Sequence, residues 1–225
     1  MPLIDAVAGY YSAMAAEYDR LAGYTDPVAE VLREPIKARF QAALRGQKVL
    51  EIACGTGYWT EVIAEAAEFV LATDVDPRMI ESAGHRLARR RNVRCQVADA
   101  YTLEGVEAGL TAAFSHWWWS HVPRSKMAGF LGVLHGRLIG GAIVVFADQL
   151  RYPWARRRED EEGNLLEERV LPDGSHWEIV KNFPTRREIV RQLAGIAESV
   201  VYEEYPEAGY WMLTYSTRAN RQQVA

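Results

Sequence analysis

The chain has 225 residues, 49 % of them apolar and 25 % charged, the balance of a globular chain and not of a disordered or fibrous one. Its length suits one α/β domain with elaboration. Lys and Arg number 26 against 30 Asp and Glu, a net charge of −4, which disfavours a nucleic-acid partner bound by neutralising phosphates.

The two cysteines, Cys54 and Cys95, cannot form a disulfide framework, so a reduced, cytoplasmic setting is expected. The N-terminus lacks a signal-peptide pattern, and no run approaches the roughly 18 uncharged apolar residues of a membrane span. No metal site is expected. Seven tryptophans are many for this length.

Residues 4–22 carry apolar and aromatic side chains at helical spacing. Thr25-Asp26-Pro27 reads as the start of a second helix, kinked at Pro35 and stopped at Gly46. From there short apolar runs alternate with helical patterns: strands over 48–53, 69–74, 93–98, 110–117 and 141–147, and helices over 60–68, 77–91 and 126–138. That alternation predicts βαβ units and a doubly wound, mostly parallel sheet. After Asp148 the chain turns polar. Runs 165–171 and 176–180 flank Asp173-Gly174 and predict an inserted β-hairpin. Thr185 caps a helix to Ala194, and 198–204 with 210–217 read as a closing strand pair. The insertion follows a strand's C-terminal end, the ligand edge of such sheets, so it is expected to cover the site.

The segment Val49 to Thr60 runs from a buried strand through Gly55-Thr56-Gly57 into a helix. Glycines there let backbone approach a ligand, and a helix N-terminus offers free N–H groups. It is neither a dinucleotide fingerprint, since Thr60 stands where a third glycine belongs, nor a P-loop. The next strand ends at Asp74, placed to hydrogen-bond a ribose diol. The third strand ends in Ala98-Asp99-Ala100, an acid able to read an adenine amino group.

Glu51-x-Ala53-Cys54-Gly55-Thr56-Gly57, Asp74-Val75-Asp76-Pro77-x-Met79-Ile80 and Ala98-Asp99-Ala100 together resemble the class I S-adenosylmethionine-dependent methyltransferases, most of all their small bacterial, small-molecule branch. The likeness covers residues 10–150. It implies a Rossmann-like seven-stranded sheet, with S-adenosylmethionine as cofactor and S-adenosylhomocysteine as product. By that resemblance the backbone of Ala53, Cys54, Gly55 and Gly57, helped by Glu51, holds the methionine moiety. Asp74 holds the ribose, Val75 and Met79 sandwich the adenine, Asp99 and Ala100 read its edge, and His116 and Trp117 line the cofactor. Tyr11 and Tyr18 resemble the family's N-terminal lid; packing of a helix on the sheet is their plainer reading. The acid common near the start of the family's fourth strand is absent from Thr111-Ala112-Ala113-Phe114.

For the substrate, His121 is the candidate base, with helix capping or orientation of a neighbour as its alternative. Trp119, Tyr152 and Trp154 are candidate substrate contacts. Asp148 is either a substrate contact or an anchor for the insertion. The arginine runs at 86–94 and 151–158 read first as solvated faces.

One domain is expected over 1–225: a helical lid to 46, a cofactor core over 47–148, the insertion over 149–182 and a closing unit over 183–225. The reading is methyl transfer to an O, N or S atom of a small, partly aromatic metabolite. An RNA methyltransferase and a non-catalytic adenosyl-binding subunit are its rivals, and a homodimer is left open.

Overall fold

The computed structural model describes residues 3–219. Helix α1 spans Leu3–Ala13 and gives way to a 3-10 turn, Ala15–Glu17, and a single-turn α2, Tyr18–Leu21. The one helix expected over 4–22 is therefore jointed. α3, Pro27–Leu44, starts at Asp26, whose carboxylate accepts from Val28 N (2.9 Å), and runs through Pro35. Then follow β1 (Lys48–Ile52), α4 (Tyr58–Ala64), β2 (Phe69–Asp74), α5 (Pro77–Arg86), β3 (Val93–Val97), β4 (Leu110–His116), α6 (Met127–His135) and β5 (Leu138–Gln149). α5 repeats the device of α3: Asp76 caps Arg78 N (2.9 Å) and Pro77 takes the first helical position.

The insertion holds three strands, not two: β6 (Arg157–Glu159), β7 (Leu165–Val170) and β8 (His176–Val180) form their own antiparallel sheet. α7 (Arg186–Leu193) opens with a full capping box between Thr185 and Glu188. β9 (Ala197–Tyr205) and β10 (Tyr210–Thr217) close the chain.

The main sheet has the order β3-β2-β1-β4-β5-β10-β9, parallel except for β10, which runs antiparallel to both neighbours. This is the Rossmann-like, doubly wound arrangement of methyltransferases. Strand order reverses between β1 and β4, so the ligand crevice belongs beyond their C-terminal ends. Alternate strand residues feed two cores. Val49 joins Phe40, Ile63 and Trp59 on one face, while Leu50 joins Phe130, Leu134 and Leu213 on the other.

A third, smaller core joins α1 to the insertion through Val7, Tyr10, Met14, Leu166, Ile179 and Val180. The contact is close: a Cβ on Gly9 would lie 2.8 Å from the Trp177 ring. Lid and insertion thus form one roof over the sheet's ligand edge. Among the described residues no helix is long and apolar enough to cross a membrane.

The tryptophans are divided between core, cleft and surface. Trp59, Trp119 and Trp211 are core residues, no more than 3 % exposed, and Trp154 is 78 % exposed. Trp119 does not face a substrate. It packs edge-on against Phe146 and Trp211 because the chain after β4 enters a 3-10 turn, Trp119–His121, which turns the ring into the core.

Candidate functional site

Two strand ends shape the crevice through unusual backbone. Ala53 follows β1 with φ 53° and Trp117 follows β4 with φ 61°, both left-handed and neither a glycine. Such conformations cost about 1–3 kcal/mol and persist where surrounding structure enforces them. They turn the chain away from the sheet and leave a cleft of about 190 Å³. The glycine loop forms its floor. Gly55 N donates to Asp74 Oδ2 (3.0 Å) and Asp76 N to Asp74 Oδ1 (3.0 Å), so each carboxylate oxygen keeps a free lone pair. Burial raises the Asp74 pKa and these backbone donors oppose the rise.

The lid is tied to this loop. Asp19 accepts from Thr56 Oγ1 and pairs with Arg86, whose Nε donates to the Thr56 carbonyl (3.0 Å). The Tyr18 ring lies over Gly55, 3.6 Å from where a Cβ would stand.

Tyr11, Tyr18, Ala53, Gly55, Asp74, Val75, Met79, Asp99, Ala100, His116 and Trp117 all line this one cleft, as does His121. Glu51, Cys54 and Gly57 stand behind its wall. Cys54 is buried, and Gly57 brings α4 against Ala83 and Leu87. The cleft also uses residues that the sequence reading passed over: Tyr101 and Trp118 on the sheet side, and Ile4, Asp5 and Val7 of α1. Tyr101 had a signal, since it follows Asp99-Ala100 directly. The α1 residues had none, because their place depends on the roof's packing.

Several buried polar atoms here have no partner among the described residues: Glu51 Oε2, Tyr101 Oη, both His116 nitrogens and the indole N–H groups of Trp117 and Trp118. An unmet buried polar group costs about 1–3 kcal/mol. A polar ligand with a cationic end, a diol and a heterocycle answers such a set. Burial pushes the Glu51 carboxyl up to about 8, which suits a site completed by an ammonium group. The residues present therefore fit S-adenosylmethionine.

His121 is held at both ring nitrogens. Val180 O can only accept, so Nδ1 carries the proton and donates to it (2.7 Å), while Nε2 accepts from the Tyr11 hydroxyl (2.7 Å). Burial lowers its pKa well below 6.5, and Lys181 and Arg169 lower it further. A ring so disfavoured as a cation orients Tyr11; it is poorly suited to collect a proton.

The remaining candidates lie deeper or elsewhere. Asp148 is fully buried and accepts from Ser120 N (2.8 Å), Ser120 Oγ (3.0 Å) and Gln149 N (2.7 Å), with Lys181 Nζ at 3.5 Å. These contacts tie it to the turn after β4 and to Lys181 just after β8, and it lines neither cavity. Tyr152 gives its hydroxyl to Glu167 (2.8 Å) and stacks on the exposed Trp154, outside both cleft and roof interior. Neither is placed as a substrate contact, because Glu167 and the guanidiniums beside it draw Tyr152 outward.

A family profile described as a methyltransferase domain matches residues 49–138. Among curated proteins, phosphoethanolamine N-methyltransferase 1 of Caenorhabditis elegans is 29 % identical over 106 residues, 46 % of this chain and 22 % of that protein. The malonyl-[acyl-carrier protein] O-methyltransferase of Anoxybacillus flavithermus is 39 % identical over 80 residues, 34 % of this chain and 28 % of that protein. The matches thus span about a quarter of those relatives' length.

Solved structures of DhpI extend the likeness over the whole fold. Its complex with SAH is 30 % identical with TM-score 0.75, covering 97 % of this chain and 98 % of that one. Its complex with SAM and HEP is 30 % identical with TM-score 0.76, covering 95 % and 97 %. A near full-length relative at that identity, sharing a sheet whose glycine loop and strand-end acids meet in one cleft, places this chain in the class I S-adenosylmethionine-dependent methyltransferase family.

Proposed function

We propose that the chain transfers the methyl group of S-adenosylmethionine to an O, N or S atom of a small molecule enclosed beneath the roof. The carrying observation is a second cavity of about 420 Å³, between α1, α2 and the insertion, which shares Tyr11, Tyr18 and Trp117 with the cofactor cleft. Those three residues mark where an acceptor meets the cofactor. Tyrosines, Met14 and Leu171 wall the chamber, while Trp119 and Trp154 do not. Of the tryptophans only Trp117 lines it among the described residues, and the mixed wall of tyrosines, Gln149, Arg169 and Lys181 supports a small acceptor with a polar group. A small acceptor is also favoured over nucleic acid by the arginine run, where Arg86, Arg90 and Arg94 pair with Asp19, Glu61, Glu65 and Glu107.

When bound, the cofactor supplies an electrophilic methyl group on a sulfonium. The protein supplies position. Residues 1–46 serve as the lid, 47–148 as the cofactor core, 149–182 as the roof and 183–225 as the closing unit. Tyr11 is the orienting residue: its proton is committed to His121, so its oxygen lone pairs face the junction. Seating an acceptor near attack distance is worth much of a displacement barrier.

Tyr11→Phe is expected to lower kcat roughly 10- to 100-fold, the scale of one oriented hydrogen bond, with S-adenosylhomocysteine affinity retained. His121→Leu should lose as much, the double variant no more, and His121→Gln should recover part of the loss. Because His121 stays neutral, kcat should show no break near pH 6.5. A break there, or additive losses, would restore the base reading.

The cofactor assignment is tested by calorimetry. The wild type should bind S-adenosylhomocysteine, and Asp74→Ala should weaken it roughly 10- to 100-fold, the cost of two charge-assisted hydrogen bonds to a ribose. Unchanged affinity in Asp74→Ala would refute the assignment. Turnover is read as S-adenosylhomocysteine formed with a panel of small acceptors, and its absence with every class would favour a non-catalytic binding subunit.

A further inference from the structure

The second cavity is electrostatically one-sided. Among the described residues the only charged ones on its wall are Arg169 and Lys181, and no carboxylate lines it. Their counter-charges stand behind them. Glu167, fully buried, receives Arg169 Nη2 (2.5 Å), Arg157 Nε (2.6 Å) and the Tyr152 hydroxyl. Two guanidiniums thus share one carboxylate, and the buried Nε of Arg169 has no partner among the described residues. Lys181 is buried too, with one short hydrogen bond, to Ser120 Oγ (2.8 Å). Asp148, 3.5 Å away, is already filled by three other donors. Three cations against two carboxylates leave one positive charge in surplus.

A buried cation without a full partner is costly, and a concave wall focuses its field into the cavity. Arg169 pairs with the buried Glu167 and Lys181 with the buried Asp148, yet both also present their charge to a cavity wall that holds no carboxylate among the described residues, so an occupant of opposite charge completes the balance. Arginine offers a planar fork and lysine a point charge, the pair of donors that suits an oxyanion.

We infer that the acceptor is a small anion, whose carboxylate or phosphoryl group is held by Arg169 and Lys181 while its body reaches Tyr11 and Trp117. This rests on the methyltransferase reading and names its substrate class. It also explains the roof's construction: Arg169 on β7 and Lys181 just after β8 are brought to the chamber only by the insertion, and Lys181 is locked to the core through Ser120. The insertion then acts as the specificity element, set on a cofactor core that is indifferent to the acceptor.

The probes are inorganic phosphate and acetate, titrated into protein saturated with S-adenosylhomocysteine, with neutral acetamide as control. At least one anion is expected to bind and acetamide not. The preference between the two separates a phosphoryl from a carboxylate substrate. Arg169→Gln and Lys181→Gln should each weaken the anion about tenfold or more, and Arg169→Lys less, while S-adenosylhomocysteine affinity stays within about threefold. Should Arg169→Gln fail to fold, Arg169→Lys and the anion-against-acetamide comparison on the wild type decide. No anion binding, or equal binding in the variants, with S-adenosylhomocysteine still bound, overturns the inference alone. Loss of S-adenosylhomocysteine binding by the wild type would overturn the underlying reading instead.

Discussion

Between pH 6.5 and 8 the ligand-free Glu51→Gln variant is expected to gain about 1.5 kcal/mol of stability relative to the wild type. The Glu51 carboxyl sits at the end of β1 with 2 % exposure and one oxygen unpartnered. Burial, aided by the Asp74 charge, pushes its pKa from 4.5 up to about 8. Between those values the folded chain holds a proton that the unfolded chain has released. The stabilisation is therefore complete below pH 4.5 and is lost as pH rises through 8, about 5 kcal/mol over the whole window.

His116 and His121 work in the opposite sense, because burial depresses both below 6.5. Below pH 6.5 the unfolded chain takes up protons that these rings refuse, so stability from them rises with pH and levels off there. The interval above 6.5 isolates Glu51. Thermal denaturation at pH 6.5 and 8 should show the gap between variant and wild type moving by about 3–6 °C. A gap constant across the interval would show that the carboxyl is already ionised in the fold. The same group gives a binding signature. If the cofactor's ammonium completes the site, Glu51 ionises as ligand binds. At pH 6.5 calorimetric heats should then scale with buffer ionisation enthalpy, as release of nearly one proton requires, and in Glu51→Gln they should not.

The parallel half of the fold was legible because buried strands and amphipathic helices alternate with caps between them. The cofactor acids were legible for a related reason: Asp74 and Asp99 end consecutive strands, and a parallel sheet brings consecutive strand ends to one edge. The acceptor side was not. Trp119 read as a substrate contact because it follows a strand end at the ligand edge, but left-handed Trp117 and the 3-10 turn after it send Trp119 into the core. The arginine run at 151–158 read as a solvated face, because a linear sequence does not show that Arg157 pairs across the strands with Glu167, in register between β6 and β7. Lys181 carried a faint signal, a lysine directly after the apolar Ile179-Val180. Its partner Asp148 lies 33 residues away, and only the folded insertion brings the two together.

Gly57→Val is expected to cost about 2–5 kcal/mol and to lower the melting temperature by about 5–20 °C. Two effects add. Gly57 has φ 80°, a left-handed conformation that a β-branched residue resists, at about 1–2 kcal/mol or more. A Cβ would also stand 3.0 Å from Leu87 Cδ1, 3.1 Å from Ala83 Cβ and 3.2 Å from Ala83 Cα. Leu87 can rotate aside, but the Ala83 Cα is the backbone of α5. Relief requires α5 to move, and α5 carries Met79 on the cleft wall, so cofactor affinity should fall with stability. Gly55→Ala is the control. Its φ is 56°, but its Cβ would meet only the Tyr18 ring, at an ordinary 3.6 Å. It should lose only the conformational part, about 1–2 kcal/mol. The contrast assigns separate duties to the two glycines: Gly55 shapes the ligand floor, while Gly57 lets α4 approach α5. That second duty, close packing of an element against the glycine loop, is the one a dinucleotide fingerprint gives to its third glycine. Here Thr60 occupies that place and is fully buried. A Gly57→Val protein that melts within about 2 °C of the wild type would show that α5 yields freely and that Gly57 has no packing duty.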